Sequence, residues 1–142
     1  MAELATALED KDHVMIQAPT GIGKTVGILH PTLCHALCGG SPVVYVTPKN
    51  SQHRVAEDAV RQLQKAGAGI RSLTLTAKSR ICMKDEPVCT PDRCEFAKNH
   101  YAKVAANKLM QKIATRPAVT EMTLKGFARK YEVCPYELSL DA

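Results

Sequence analysis

Tryptophan is absent from this 142-residue chain, which has only two phenylalanines and four tyrosines. A site made of stacked aromatic rings has little to draw on, so a polyanionic partner would have to be met mainly by charge. No apolar run approaches the ~20 residues that span a bilayer. The opening Met1-Ala2-Glu3-Leu4 has no basic region leading into an apolar stretch, unlike a secretory signal. The expectation is therefore a cytoplasmic chain with no membrane partner. Internal repeats and low-complexity tracts are also missing. What is present is ordinary globular composition, 45% apolar and 23% charged, enough for a core of its own. Lys and Arg outnumber Asp and Glu by 19 to 14, a net charge of +5 that permits a polyanionic partner without requiring one. In a reducing compartment the six cysteines point to metal or cluster binding rather than to disulfides.

The first part of the chain reads as alternating strand and helix. His13 to Gln17 is a short apolar run, followed by a Pro/Gly turn and a helical stretch from about Gly23 to Leu37 that Gly39-Gly40-Ser41-Pro42 ends. Val43-Val44-Tyr45-Val46-Thr47 is composed like a strand buried on both faces. Ser51 can cap a helix running to about Ala66, with Val55, Ala59, Val60 and Leu63 at helical spacing, and Ile70 to Thr76 reads as a third strand. Short links between these elements favour a parallel α/β sheet. After Lys78 the character changes. Ser79 to Glu95 has no periodicity and few apolar residues beyond Ile81, Met83 and Val88, so burial alone is not expected to order it. Helix then returns, with Ala97, Tyr101, Val104, Ala105, Leu109 and Ile113 on one face. Thr123 is a possible N-cap for a further helix that turns Leu124, Phe127, Ala128 and Tyr131 inward, and Pro135 stands at the first position of another.

Ala18-Pro19-Thr20-Gly21-Ile22-Gly23-Lys24-Thr25 lies between the first expected strand and the first long helix. That is the setting of a nucleotide-binding P-loop. Gly21 and Gly23 let successive backbone N–H groups turn toward a phosphate where side chains would collide. The helix N-terminus adds partial positive charge, Lys24 can reach the β- and γ-phosphates of ATP, and the Thr25 hydroxyl can ligate Mg²⁺. Further along that helix, Pro31 should remove a hydrogen bond and kink it, while Cys34 and Cys38 read as small buried side chains on a core face.

Cys82, Cys89, Cys94 and Cys134 follow the pattern C-x6-C-x4-C-x39-C. Four thiolates can close a zinc site or hold an iron–sulfur cluster, and this spacing leaves both open. Cys134 precedes a helix whose dipole would favour its thiolate, and Arg80 and Lys84 flank Cys82. Lys98, Lys103, Lys108 and Lys112, then Lys125, Arg129 and Lys130, can form a phosphate-tracking face. The same pattern also suits a solvated surface.

Taken together, these segments resemble an iron–sulfur-containing superfamily 2 DNA helicase of the XPD/DinG type. Residues 18–25 resemble motif I, and Val43 to Gln52 resembles motif Ia. Leu75 to Cys82 resembles the approach to the first cluster ligand, and Cys134-Pro135-Tyr136-Glu137 the segment that carries the fourth. The resemblance implies ATP and Mg²⁺ at Ala18, Pro19, Thr20, Gly21, Ile22, Gly23, Lys24 and Thr25, with Lys24 and Thr25 catalytic. It also implies a [4Fe–4S] cluster on Cys82, Cys89, Cys94 and Cys134. Single-stranded or fork DNA would be contacted by Thr47, Lys49, Ser51, Gln52 and Arg80, with 5′→3′ polarity. The implied fold is an incomplete P-loop, RecA-like parallel sheet at 1–78 carrying a mostly helical, cysteine-rich insertion at 79–142. The Asp-Glu-Ala-His box and second motor domain of such helicases do not occur in this sequence, so the expectation is the N-terminal portion of a helicase that does not hydrolyse ATP by itself. A zinc-stabilised P-loop kinase and a non-catalytic, zinc-bearing nucleic-acid-binding module are the alternatives.

Overall fold

The computed structural model describes residues 2–10, 13–19, 21–49 and 51–142. It divides into two units, 1–70 and 71–142.

The first unit is helical. α1 (Ala2–Glu9) and α3 (Ser51–Lys65) both pack against α2 (Lys24–Gly39). Leu29 and Ala36 of α2 are buried, seven positions apart and so on one face of the helix, as is Ala59 of α3. Pro31 sits inside α2, which runs on through it. Gly40 closes the helix in the left-handed region at φ 66°, its N–H donating to the Ala36 carbonyl, a conformation that glycine adopts at little cost. Cys34 and Cys38 are exposed, not buried in a core as their spacing suggests.

The expected three-strand sheet is not found among the described residues. Residues 13–17 and 43–47 belong to no strand. Met15 is fully exposed, and Val44 and Val46 are more than 80% exposed. Apolar, β-branched composition favours extended backbone, but a strand also needs a neighbour to accept and donate its hydrogen bonds. Only part of the third expected strand forms: β1 (Ser72–Leu73) pairs in parallel with β2 (Ala118–Val119), Ser72 opposite Ala118 and Leu73 opposite Val119. The ladder is extended by the Ser72 N–H to the Pro117 carbonyl at 3.0 Å and the Thr74 N–H to the Val119 carbonyl at 2.9 Å.

The second unit wraps α4 (Lys78–Ile81), α5 (His100–Ala106), α6 (Leu109–Ala114), α7 (Glu121–Tyr131) and α8 (Pro135–Leu140) around one apolar core. Ile81, Val104, Leu109, Ile113, Val119, Leu124, Phe127, Val133 and Leu138 form it. The long helix expected up to Ala114 is broken at Asn107–Lys108. Lys108 takes a left-handed φ of 51°, and the Asn107 side chain donates to the Lys103 carbonyl at 2.8 Å. The break changes the helical phase, so Leu109 and Ile113 reach the core while Tyr101, expected to face inward, is 68% exposed. α7 begins at Thr120, not Thr123. The Thr120 hydroxyl accepts the Thr123 N–H, which would otherwise be one of the unpaired donors of the first turn.

Leu124 is fully buried at the centre of this core. Leu124→Ala should lower the unfolding free energy of the second unit by about 3 kcal/mol, and Thr120→Ala by about 1 kcal/mol through loss of the cap. Urea denaturation followed by circular dichroism reads both; equal effects would contradict this division between core and cap.

Candidate nucleotide loop and cysteine cavity

The loop at 18–25 is shaped by two left-handed glycines. Gly21 has φ 86° and Gly23, immediately before α2, has φ 77°. Space is not what requires glycine there, since a Cβ at either position would meet nothing within 4 Å; the backbone conformation is. From the first turn of α2, Lys24 reaches back across the loop. Its Nζ donates to the Pro19 carbonyl at 2.7 Å and the Ala18 carbonyl at 3.2 Å. The cation is held over the backbone of its own loop, with Thr25 half-buried next to it and Ile22 exposed. Thr20 lies outside the described residues.

The residues expected to form motif Ia lie before and at the start of α3. The Thr47 hydroxyl donates to the Lys49 carbonyl at 3.3 Å, and that carbonyl also accepts the Gln52 N–H at 3.0 Å. Lys49, Ser51 and Gln52 are exposed around this helix start, with Thr47 half-buried. Arg80 belongs to the other unit, where its side chain is exposed and its carbonyl accepts from Lys125 at 3.3 Å.

In the second unit, Cys82, Cys89, Cys94 and Cys134 line one cavity of about 270 Å³. They come from separate local structures. Cys82 ends α4, its N–H on the Lys78 carbonyl at 3.0 Å. Cys89 is exposed in an irregular stretch. Cys94 is buried, and its carbonyl accepts the N–H groups of Ala97 and Lys98. Cys134 caps α8. Among the described residues, no three His, Cys, Asp or Glu side chains stand close enough to hold a single metal ion.

Three charged residues border the cavity. Lys78 pairs with Glu137 at 3.4 Å and lies over the Tyr136 ring at 5.0 Å. The Cys89 thiol and Glu137 hold its ammonium above the ordinary lysine value. Lys84 pairs with Glu95 at 2.7 Å, and that partner raises it too, helped by Cys94 and Cys82. Lys84 was legible beside Cys82, but Arg80 does not border the cavity and Lys78 does. The signal for Lys78 was its place four residues before Cys82, one turn back on the same face. The helix-start argument for Cys134 is outweighed. Burial pushes its thiol above the usual range, and the N–H groups of Glu137 and Tyr136 offset this only in part. The residue that sequence reasoning missed is His100. It is buried, borders the cavity, and accepts the Cys134 N–H on Nδ1 at 3.1 Å. Burial holds its imidazole below the ordinary value.

Of the proposed phosphate-tracking lysines, Lys103 and Lys125 are engaged within the fold. Lys103 meets the Glu95 and Glu132 carbonyls and Lys125 meets Glu121. Lys112 and Lys130 lie over the Tyr131 ring at 4.8 and 5.3 Å, Lys112 also bonding its hydroxyl, and this holds the Tyr131 phenol below its usual value.

Left-handed glycines at the start of a helix, with a lysine reaching back across them, are features that the P-loop motif at 18–25 leads one to expect. Residues 2–114 match the DEAD/DEAH box helicase family, and the chain belongs to that family. Membership implies a P-loop, RecA-like fold. Among curated relatives, the chain is 43% identical over 47 residues to the 3′-5′ exonuclease DinG of Bacillus subtilis, covering 33% of this chain and 5% of that protein. It is 44% identical over 46 residues to the ATP-dependent helicases DinG of Mycobacterium tuberculosis and Mycobacterium bovis, 32% of this chain and 7% of theirs. The matched stretch is thus a small fraction of these relatives, and within the family they mark the DinG type. No solved structure matches the chain.

Thiol exposure gives a direct check on this geometry. In metal-free protein, alkylation should reach Cys34, Cys38 and Cys89 first and Cys94 last, since the first three are exposed and Cys94 is buried. Peptide mass spectrometry over a time course reads the order; fast labelling of Cys94 would contradict the cavity.

Proposed function

We propose that this chain is the N-terminal portion of an ATP-dependent DNA helicase, with motor-domain sequence at 1–78 and a [4Fe–4S] cluster domain at 79–142. The observation that carries the cluster reading is the convergence of Cys82, Cys89, Cys94 and Cys134 on one cavity. The donor set suits the group. Thiolates are the ligands of such clusters, and four of them border a space flanked by Lys78 and Lys84, whose charge offsets theirs. A single zinc holds its thiolates at ~2.3 Å and so gathers their sulfurs within about 3.8 Å of one another. A cluster spreads them around its iron corners. The likeness of Leu75 to Cys82 and of Cys134-Pro135-Tyr136-Glu137 to the cluster-bearing segments of the XPD/DinG type supports the latter. When bound, the cluster supplies ligand bonds that tie Ser79 to Glu95 to α8, a stretch with little apolar surface to order itself.

In the first unit, ATP would displace the Lys24 ammonium from the Pro19 and Ala18 carbonyls, bringing it onto the β- and γ-phosphates. The N–H groups around Gly21 and Gly23 would then line the phosphate path, and Thr25 would hold Mg²⁺, which neutralises developing phosphate charge. Thr47, Lys49, Ser51, Gln52 and Arg80 would meet the backbone of single-stranded DNA. The polarity this reading carries is 5′→3′. Helicase names among the mycobacterial relatives support the activity class.

Lys24→Ala should abolish nucleotide binding measured by calorimetry, and the chain alone should show no steady ATP turnover, lacking the carboxylate box that positions water. Retained affinity in the variant would refute the loop assignment. Serine at any of Cys82, Cys89, Cys94 or Cys134 should lower iron content, while serine at Cys34 or Cys38 should not; the reverse pattern would refute the ligand set. Affinity for single-stranded DNA should fall steeply with added salt.

A further inference from the structure

His100 opens α5 and is 4% exposed, so its ring nitrogens need partners inside the protein. Nδ1 has one, the Cys134 N–H at 3.1 Å. A ring nitrogen that accepts a hydrogen bond carries no proton, so the proton of the neutral ring is on Nε2. Nε2 is buried and has no hydrogen-bond partner. The imidazole borders the cavity shared by the cysteines. The other strong donors at that cavity are engaged, Lys78 with Glu137 and Lys84 with Glu95. Among the described residues that line the cavity, the buried side-chain donor left without a partner is the Nε2–H of His100.

We infer that His100 is a positioning residue for the cluster: its Nδ1 fixes the backbone of the ligand Cys134, and its Nε2–H donates to a sulfur of the group that the cavity holds. This rests on the cluster reading above. Ring orientation and ligand position are then set by the same side chain, because the bond at one nitrogen determines which proton the other can offer. A donor to a cluster sulfur stabilises the added negative charge of the reduced state, and so raises the reduction potential.

Two variants separate the roles of the two nitrogens. His100→Asn keeps an acceptor near the Nδ1 position but has no donor where Nε2 stood, whereas His100→Gln can place an amide N–H there. In the anaerobically reconstituted 142-residue chain, His100→Asn should retain iron yet favour the oxidised state about tenfold, a fall of about 59 mV for a one-electron couple. His100→Gln should restore most of that shift. Labelling with ¹⁵N-histidine gives a second readout: the reduced cluster of the wild type should show a hyperfine coupling to one histidine nitrogen that His100→Gln abolishes. Iron-loaded His100→Asn with an unchanged potential, or no ¹⁵N coupling in the wild type, overturns this inference and leaves the cluster reading standing. Wild-type protein that takes up one zinc and no iron overturns both.

Discussion

The second unit depends on the burial of two side chains, Ile81 and Val133, each with no exposed surface. One lies immediately before Cys82 and the other immediately before Cys134. Burying a residue of this size contributes roughly 1.5–3 kcal/mol, and α4 and α8 pack together beside them. Two cysteines far apart in sequence are thereby brought to one cavity by apolar packing rather than by a metal. Cys94 is anchored more locally, by the turn hydrogen bonds that run from Thr90 to Lys98. Cys89 is exposed, its thiol meeting the Pro87 carbonyl at 3.6 Å and the Lys78 ammonium. Three of the four cysteines are placed by regular structure or buried turns, and Cys89 lies on an irregular segment.

Charge is distributed to match. Lys78, Lys84, Glu137 and His100 all border the cavity, and each lysine has a carboxylate partner close by. Burial disfavours the free Cys134 thiolate. In the first unit Lys24 is satisfied by the carbonyls of its own loop.

Local patterns were read well and partners poorly. The left-handed glycines at 21 and 23, the stop at Gly40 and the helix opened by Pro135 are each encoded within a few residues, by glycine conformation or by the fixed φ of proline. The sheet was misread because Val43 to Thr47 and His13 to Gln17 announce extended backbone but not what pairs with it, and β1 instead pairs with the short Ala118–Val119 segment. The helix break at Lys108 was invisible because lysine seldom takes the left-handed region, and the Asn107 side chain that bonds the Lys103 carbonyl gave no advance signal. His100 could have been suspected only from its type. Its significance comes from the Cys134 N–H, a contact across 34 positions that no local pattern reports.

The central claim is that the cysteine cavity holds a multi-iron cluster rather than a single metal ion. Anaerobic purification followed by iron, sulfide and zinc analysis tests it most directly. A cluster-bearing cavity gives a brown protein with about four irons and about four sulfides per chain, and a broad visible absorption that bleaches on reduction. A colourless protein with one zinc per chain and no sulfide would contradict it.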